Sequence, residues 1–326
     1  MTVRPRDIVV VGASAGGVEA LRAMAAQLPD DLPAAVLVAL HMPAGGTSAL
    51  PAILDRAGPL PAQVARHGEP LEHGRVYVAP PDHHLLVSDG AVALSHGPTE
   101  NGHRPAINAL FRSAAVARGA AVTGVLLSGM LDDGVAGLQA LAGQGARVVV
   151  QDPRDALYPA MPEHALQVLS PDHVVAAAGI GEVLAKVTLE LVEADSGPAP
   201  EALRWENEIA SARRFGEGMS AVGRPSEFAC PDCHGVLADI DNGLRYRCRV
   251  GHAWTAEALV AAQGDAVEHA LWTGMRALEE KASLCRRLAA LARERGSDQI
   301  AERYDVQARE TLEAADVLRR QVVGRG

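Results

Sequence analysis

The sequence predicts an α/β domain of the doubly wound kind, a mostly parallel sheet with helices on both faces, followed by a small cysteine-bearing module and a helical hairpin. Three observations carry that prediction. Short β-branched runs alternate with segments of helical apolar spacing up to Glu193. Hydrophobic residues fill 48% of the 326 positions but aromatic ones only 3%, so the core must be built from Ala, Val and Leu, as helices on a sheet allow. Three of the four cysteines then fall between Cys230 and Cys248, where the alternation has stopped.

In chain order, Ile8-Val9-Val10-Val11 is a strand closed by Gly12, and Val18, Leu21, Met24 and Ala25 recur behind it at helical spacing. Residues 35–40 read as a second buried strand with 49–56 as its helix. Residues 75–78 and 85–87 are further strands, the latter turning through Ser88-Asp89-Gly90 into a hairpin with 92–94. Pro105 opens a helix through Arg118, 122–127 is a buried strand with 134–144 as its helix, and 148–150 repeats the pattern. Uniformly apolar strands separated by helices imply parallel order. At Ala194-Asp195-Ser196-Gly197-Pro198-Ala199-Pro200 the rhythm breaks. The expected division is a main domain 1–192, a linker 193–226, a cysteine module 227–256 and a helical tail 257–326. In the tail, Leu271, Met275, Leu278, Ala282 and Cys285 form a seam of coiled-coil type. Gly296-Ser297-Asp298 interrupts it, and Ile300, Tyr304, Ala308, Leu312 and Ala315 continue in a last helix, so an antiparallel hairpin is expected.

A formal charge of -10 without a long Lys/Arg block argues against nucleic acid, whose phosphates demand clustered basic side chains. The apolar runs are too short for direct membrane insertion. The opening Met-Thr-Val-Arg-Pro-Arg-Asp lacks a signal-peptide pattern, so a cytoplasmic location is expected.

Gly12-Ala13-Ser14-Ala15-Gly16 fits G-x-S-x-G directly after a strand and before a helix, where that motif exposes a nucleophilic hydroxyl. A phosphate-binding glycine loop is the competing reading of the same segment. The full dinucleotide pattern is absent, because Ser14 stands at its second glycine, and no G-K-[ST] follows, which favours the nucleophile. The N–H of Ala15, at the helix start, is placed to donate to an oxyanion. His41 ends the second strand before Met42-Pro43. Strand ends of a parallel sheet share one edge, so Ser14 and His41 can meet there as nucleophile and base. Gly129-Met130-Leu131-Asp132-Asp133-Gly134 brings carboxylates to the same edge, after the strand 122–127.

These segments, together with His103-Arg104-Pro105, Ser128-Gly129 and Ala160-Met161-Pro162, resemble the successive signatures of the chemotaxis protein-glutamate methylesterase family over roughly residues 7–192. The resemblance implies a triad of Ser14, His41 and Asp133, the aspartate being the one directly before glycine, with Asp132 solvated or capping the next helix. It further implies an oxyanion site at the N–H groups of Ala15 and Met130. The implied reaction removes methyl esters from receptor glutamates with release of methanol, extends to deamidating glutamine, and needs no cofactor. Ala15 stands where the family carries a hydroxyl residue, and Gly45-Gly46-Thr47 lacks an aromatic residue. The family's phosphoacceptor receiver domain is not expected, the chain opening at the catalytic domain. A related serine esterase or amidase with another substrate, and a non-catalytic signalling scaffold, are the alternatives.

Cys230-Pro-Asp-Cys233 and Cys248-Arg-Val-Gly-His252 have the spacing of a closed tetrahedral site, which predicts a structural zinc. His234 is an alternative ligand, and a redox C-x-x-C an alternative reading. The segment resembles an extension found behind methylesterase-like domains, a likeness that implies no activity. Its helical seam could form a homodimer, dock on a receptor's helices or another signalling protein, or fold over the catalytic edge.

Overall fold

The computed structural model describes residues 3–193, 197–214 and 223–323. The chain runs β1 (Val3–Pro5), β2 (Ile8–Ala13), α1 (Gly17–Ala25), β3 (Ala35–Leu40), α2 (Leu50–Ala57), β4 (Ala62–Val64) and β5 (Arg75–Val78). It continues with β6 (His84–Ser88), β7 (Ala91–Ser95), α3 (Ile107–Arg118), β8 (Val122–Leu126), α4 (Val135–Gly143), β9 (Arg147–Gln151) and α5 (Ala160–Val168). Then come β10 (His173–Val175), α6 (Ala177–Val187), β11 (Leu191–Glu193), α7 (Glu201–Ala210) and the strands β12 (Arg224–Ala229), β13 (Val236–Asp239), β14 (Arg245–Cys248) and β15 (Ala253–Thr255). Two long helices, α8 (Ala256–Glu294) and α9 (Asp298–Val323), follow.

Seven strands in the order β10-β9-β8-β2-β3-β5-β4 form one sheet, every neighbouring pair parallel. The reason is legible in β2 and β3, whose residues are buried without exception and mostly β-branched or small. Successive side chains leave a strand on opposite faces. Ile8 and Val10 accordingly pack with Ile107, Phe111 and Leu138 beneath α3 and α4, while Val9 and Val11 pack with Leu21, Met24 and Leu184 beneath α1 and α6. From β2 the chain passes to β3, then to the edge strand β4 and back between them as β5, before it returns to β8 on the other side of β2 and winds out through β9 and β10. The order therefore reverses at β2, and the crevice at the carboxyl ends of β3, β2 and β8 is the place where such a sheet leaves room for a ligand. The expected hairpin is present as β6 and β7, an antiparallel pair apart from the main sheet.

Gly12 closes β2 where a Cβ would lie 2.1 Å from Ile107 Cγ2, so only glycine lets the start of α3 press on the strand end. Gly16 has φ 69° and supplies the left-handed turn into α1.

The expected linker 193–226 differs from the structure. Residues 194–196 and 215–222 lie outside the described residues, but α7 sits between them with Trp205, Ile209 and Ala210 buried. Pro198 and Pro200 mark the entry to a helix and not the start of a slack segment, because proline is well tolerated at and before a first turn. Its Glu206 enters a buried cluster with Arg112 of α3, Glu100, and Arg245 and Arg247 of β14. Through that cluster the antiparallel sheet β12-β13-β14-β15 is fastened to the α/β core. Residues 1–258 thus form one compact unit and 259–326 a second.

The second unit is the antiparallel hairpin expected of the tail, held by Arg319 with Glu279 at 2.6 Å and by Arg293 with Asp305. Ala282, Cys285, Ala289 and Ala292 line the buried face of α8, and Ala301, Ala308 and Ala315 that of α9. Ile300, expected on that face, is 48% exposed, the contact falling one residue later at Ala301. Among the described residues no helix is long and apolar enough to cross a membrane.

Candidate active site

The three strand ends place Ser14, His41 and Asp133 in one hydrogen-bonded line. Ser14 follows β2, and its N–H donates to Ser128 O beyond β8 at 2.9 Å. His41 follows β3, with its N–H on Ala13 O at 3.1 Å. Ser14 Oγ lies 3.0 Å from His41 Nδ1, and His41 Nε2 lies 2.7 Å from Asp133 Oδ2. The nitrogen facing the serine is thus Nδ1, the reverse of the Nε2 used in the chymotrypsin-type arrangement. Either nitrogen can serve, because the one that carries hydrogen is set by the acceptor on the other side of the ring. Here the carboxylate takes the Nε2 hydrogen and leaves a lone pair on Nδ1 toward Ser14.

Asp133 is buried, and its Oδ2 also accepts the Ile107 N–H at 2.7 Å. Ile107 is the first residue of α3, whose cap position is occupied by Ala106 and offers no side-chain acceptor. The carboxylate therefore satisfies an orphan donor of the helix start, where the helix dipole favours a negative charge. Burial alone would raise the Asp133 carboxyl, but the bonds from His41 and Ile107 and the nearby His103 bring it below the usual carboxylate range.

The turn that carries Ser14 is fixed from below. Ser128 Oγ donates to Ala15 O at 2.8 Å and accepts the Tyr158 N–H at 3.0 Å, while the Ser128 N–H donates to Gln151 Oε1 at 2.8 Å. A side chain one strand away thus ties the turn where Ala15 offers no hydroxyl. The N–H groups of Ala15 and Met130 have no acceptor among the described residues, which leaves both able to donate to a ligand.

His103, whose motif the sequence displays without a role, stacks on His41 with ring centroids 3.8 Å apart. Burial, together with the neighbouring His41, lowers its pKa to about 4, so a neutral ring covers His41. A cleft of about 400 Å³ opens beside the pair, lined by His41, Pro43, Asp82, Thr99, His103 and Arg104. Arg104 Nε and Nη2 donate to Asp82 Oδ1 at 3.0 and 2.6 Å, and that bond holds the Asp82 carboxyl below its usual range.

The other carboxylate of the pair points away from His41, out of the turn 131–134 that leads into α4. Asp132 is neither solvated nor a side-chain cap of α4: its Oδ1 accepts the Thr255 hydroxyl at 2.7 Å. Burial, with Glu257 and Asp133 close by, raises its pKa to about 6 against the pull of that bond.

Cys230, Cys233, Cys248 and His252 form the cluster that their spacing predicts, with one ligand atom of each within 4.8 Å of the others. The Cys233 and Cys248 sulfurs are 3.6 Å apart, and His252 Nδ1 lies 3.8 Å from Cys230 Sγ and 3.5 Å from Cys248 Sγ. A tetrahedral zinc with bonds to sulfur of about 2.3 Å has edges of about 3.8 Å, so these four atoms fit it. His234 is not among them. Asp232, inside the first pair of cysteines, accepts the hydroxyl of Thr99, a residue of the cleft wall, at 2.8 Å.

The catalytic-domain structure of Thermotoga maritima CheB methylesterase aligns with 55% of this chain and 97% of its own length, at 33% identity and a TM-score of 0.53. The protein-glutamate methylesterase/protein-glutamine glutaminase 3 of Anaeromyxobacter dehalogenans is 45% identical over 180 residues, 55% of this chain and 53% of the relative. The protein-glutamate methylesterase/protein-glutamine glutaminase of Bordetella bronchiseptica is 41% identical over 180 residues, 54% and 51% of the two lengths. The chain spans about half the length of these curated relatives. Residues 9–184 match the CheB methylesterase family over more than half of the chain, and the chain belongs to that family.

Proposed function

We propose that this protein hydrolyses methyl esters of glutamate side chains on chemoreceptor-like proteins and deamidates glutamines by the same route. The observation that supports this most is the unbroken line from Ser14 Oγ through the His41 ring to Asp133 Oδ2, at 3.0 and 2.7 Å. His41 Nδ1 takes the Ser14 proton as Oγ attacks the ester carbonyl, and Asp133 stabilises the imidazolium. The carbonyl oxygen gathers charge against the N–H groups of Ala15 and Met130. The tetrahedral adduct collapses as the C–O bond to the methoxy group breaks and His41 returns its proton, releasing methanol. Water, deprotonated by His41, then attacks the acyl-enzyme, and its breakdown restores Ser14 and leaves a glutamate. No cofactor enters either step. The neutral His103 over His41 keeps a second positive charge away from the imidazolium. Methylated receptor helices or another signalling protein in the cytoplasm are the partners of this reading, and the helical hairpin is the surface for docking or for a homodimer.

Incubation of methylated receptor with the protein tests the reading through methanol release. Wild type is expected to release methanol and Ser14→Ala none above background. Release by neither protein defeats the substrate assignment, and equal release by both defeats the nucleophile.

Cys230, Cys233, Cys248 and His252 are the ligands of a structural zinc in this reading. Four protein ligands leave no open position for substrate, so the ion holds the small sheet together and takes no part in hydrolysis. Metal analysis of the reduced protein is expected to give about one zinc per chain, as a closed site of this donor set binds tightly. A content below half an equivalent, with the four residues intact, overturns it.

A further inference from the structure

Thr255 is the last residue of β15 and the residue before α8. Its hydroxyl accepts the Ala258 N–H at 3.2 Å, the bond of a helix cap, and gives its one hydrogen to Asp132 Oδ1 at 2.7 Å. Asp132 is joined through one peptide bond to Asp133, the acid that orients His41. The preceding Leu131 has φ 57°, a conformation that a residue with a branched side chain adopts only when its surroundings impose it. The surroundings are on the same corner: His164 Nδ1 donates to Leu131 O at 2.8 Å, and its Nε2 meets Glu257 Oε2 of α8 at 3.2 Å.

The corner also reaches the opposite wall of the site. The Thr255 N–H donates to Asn101 Oδ1 at 2.9 Å, and the Asn101 N–H donates to Ala253 O at 2.8 Å. Two residues beyond Asn101 stands His103, stacked on His41. One residue of the cysteine module thus fixes both the loop that carries the acid and the loop that carries the ring over the base.

We propose that Thr255 is a positioning residue for hydrolysis, holding Asp132 so that Asp133 stays aligned on His41 Nε2, and that the cysteine module thereby sets the reactivity of the triad. This rests on the reading of Ser14, His41 and Asp133 as the hydrolytic machinery. Nothing in the arrangement requires Thr255 to touch substrate. Its loss should lower turnover and leave substrate binding alone, a displacement of the acid by a fraction of an ångström being enough to slow the transfer of the Ser14 proton.

The test uses the full chain with its metal content measured. Thr255→Val removes the hydroxyl at constant shape, Thr255→Ser retains it, and Asp132→Ala removes the acceptor while leaving the Ala258 cap bond in place. Thr255→Val and Asp132→Ala are each expected to lower kcat about tenfold with little change in KM, an effect on the scale of a small misplacement remote from the reacting atoms. The double variant should lose no more than either single one, Thr255→Ser should stay near wild type, and metal content should hold in all four. Independently of turnover, the downfield proton resonance of the His41–Asp133 hydrogen bond should shift or broaden in Thr255→Val and Asp132→Ala and hold its place in Thr255→Ser.

An unmoved resonance in Thr255→Val overturns the proposal whether or not the protein cleaves methyl esters. Loss of turnover in Thr255→Val but not in Asp132→Ala also overturns it, because the effect then belongs to the cap of α8. If Thr255→Val fails to fold, Asp132→Ala alone decides, and wild-type kinetics and resonance in that variant defeat the proposal. A wild type that releases no methanol but shows the expected resonance changes defeats the proposed substrate and leaves the positioning role standing.

Discussion

Replacing Ser14 by Ala is expected to abolish measurable turnover, a loss of about 10⁶ in kcat on the scale set by serine hydrolases, and Asp133→Ala is expected to cost about 10⁴. The second figure follows from the ring geometry. An alanine at 133 would take away the acceptor that His41 Nε2 and the Ile107 N–H share at Oδ2, and nothing would then hold the ring hydrogen on Nε2. The hydrogen of the neutral imidazole could then sit on Nδ1, and Ser14 Oγ, 3.0 Å away, would face an N–H and no longer a lone pair. Steady-state kinetics with far-UV circular dichroism as the check on folding would measure both. An Asp133→Ala variant within about tenfold of wild type would be at odds with a tautomer held by the carboxylate. The acid side of the profile has a definite sign. The folded Asp133 carboxyl titrates below its ordinary value, so its contribution is complete above the unfolded pKa of about 3.9 and fades as pH falls through the lowered one. Asp133 should therefore impose no loss of activity at pH 5 to 7.

The convergence of Ser14, His41 and Asp133 could be anticipated because a parallel sheet converts sequence into position. A residue that ends a buried strand must lie on the carboxyl edge, so Ser14, His41 and Asp133 converge there although they are far apart in the chain. The cluster of Cys230, Cys233, Cys248 and His252 was legible for a different reason, since thiols and imidazole at these spacings have few other uses in so small a module. The choice of Nδ1 over Nε2 was not legible, because it depends on the angle at which two strand ends approach the ring. The role of Asp132 was hidden as well. Its partner Thr255 is 123 positions away in an element whose docking leaves no periodic signature. The same applies to α7. Its one-sided apolar spacing over ten residues was masked by the flanking Pro198, Pro200 and Gly197, and its Glu206 gave no sign that three arginines from elsewhere would surround it.

That carboxylate carries the second large effect. Glu206→Gln is expected to destabilise the 1–258 unit by about 3–5 kcal/mol, the usual result of removing one partner from a buried ion cluster. Arg247 is fully buried, with its Nη2 2.8 Å from Glu206 Oε2 and 3.6 Å from Glu100 Oε1. Arg245 also pairs with Glu206, and Arg112 with Glu100. In wild type three guanidinium groups share two carboxylates. In the variant they would share one, and the excess positive charge would sit where water cannot reach it. At roughly 2–4 °C per kcal/mol for a unit of this size, the melting midpoint should fall by about 10 °C. Glu182→Gln breaks an exposed pair with Lys186 at 2.7 Å and should leave melting unchanged. The pH dependence identifies the cause. Burial would raise both Glu100 and Glu206, but the arginines around them bring both below the usual range, so their contribution is complete above about pH 4.3 and is lost as pH falls through the lowered values. His84, buried and lowered by that burial, opposes acid in both proteins and cancels in the comparison. Calorimetry should thus find a constant gap between wild type and Glu206→Gln at pH 5 to 7 and a narrowing one in stronger acid. Equal midpoints at neutral pH would mean that α7 and the cysteine module are held to the α/β core by their remaining contacts, the hydrogen bonds of Thr255 and Asp232 among them, without help from the ion cluster.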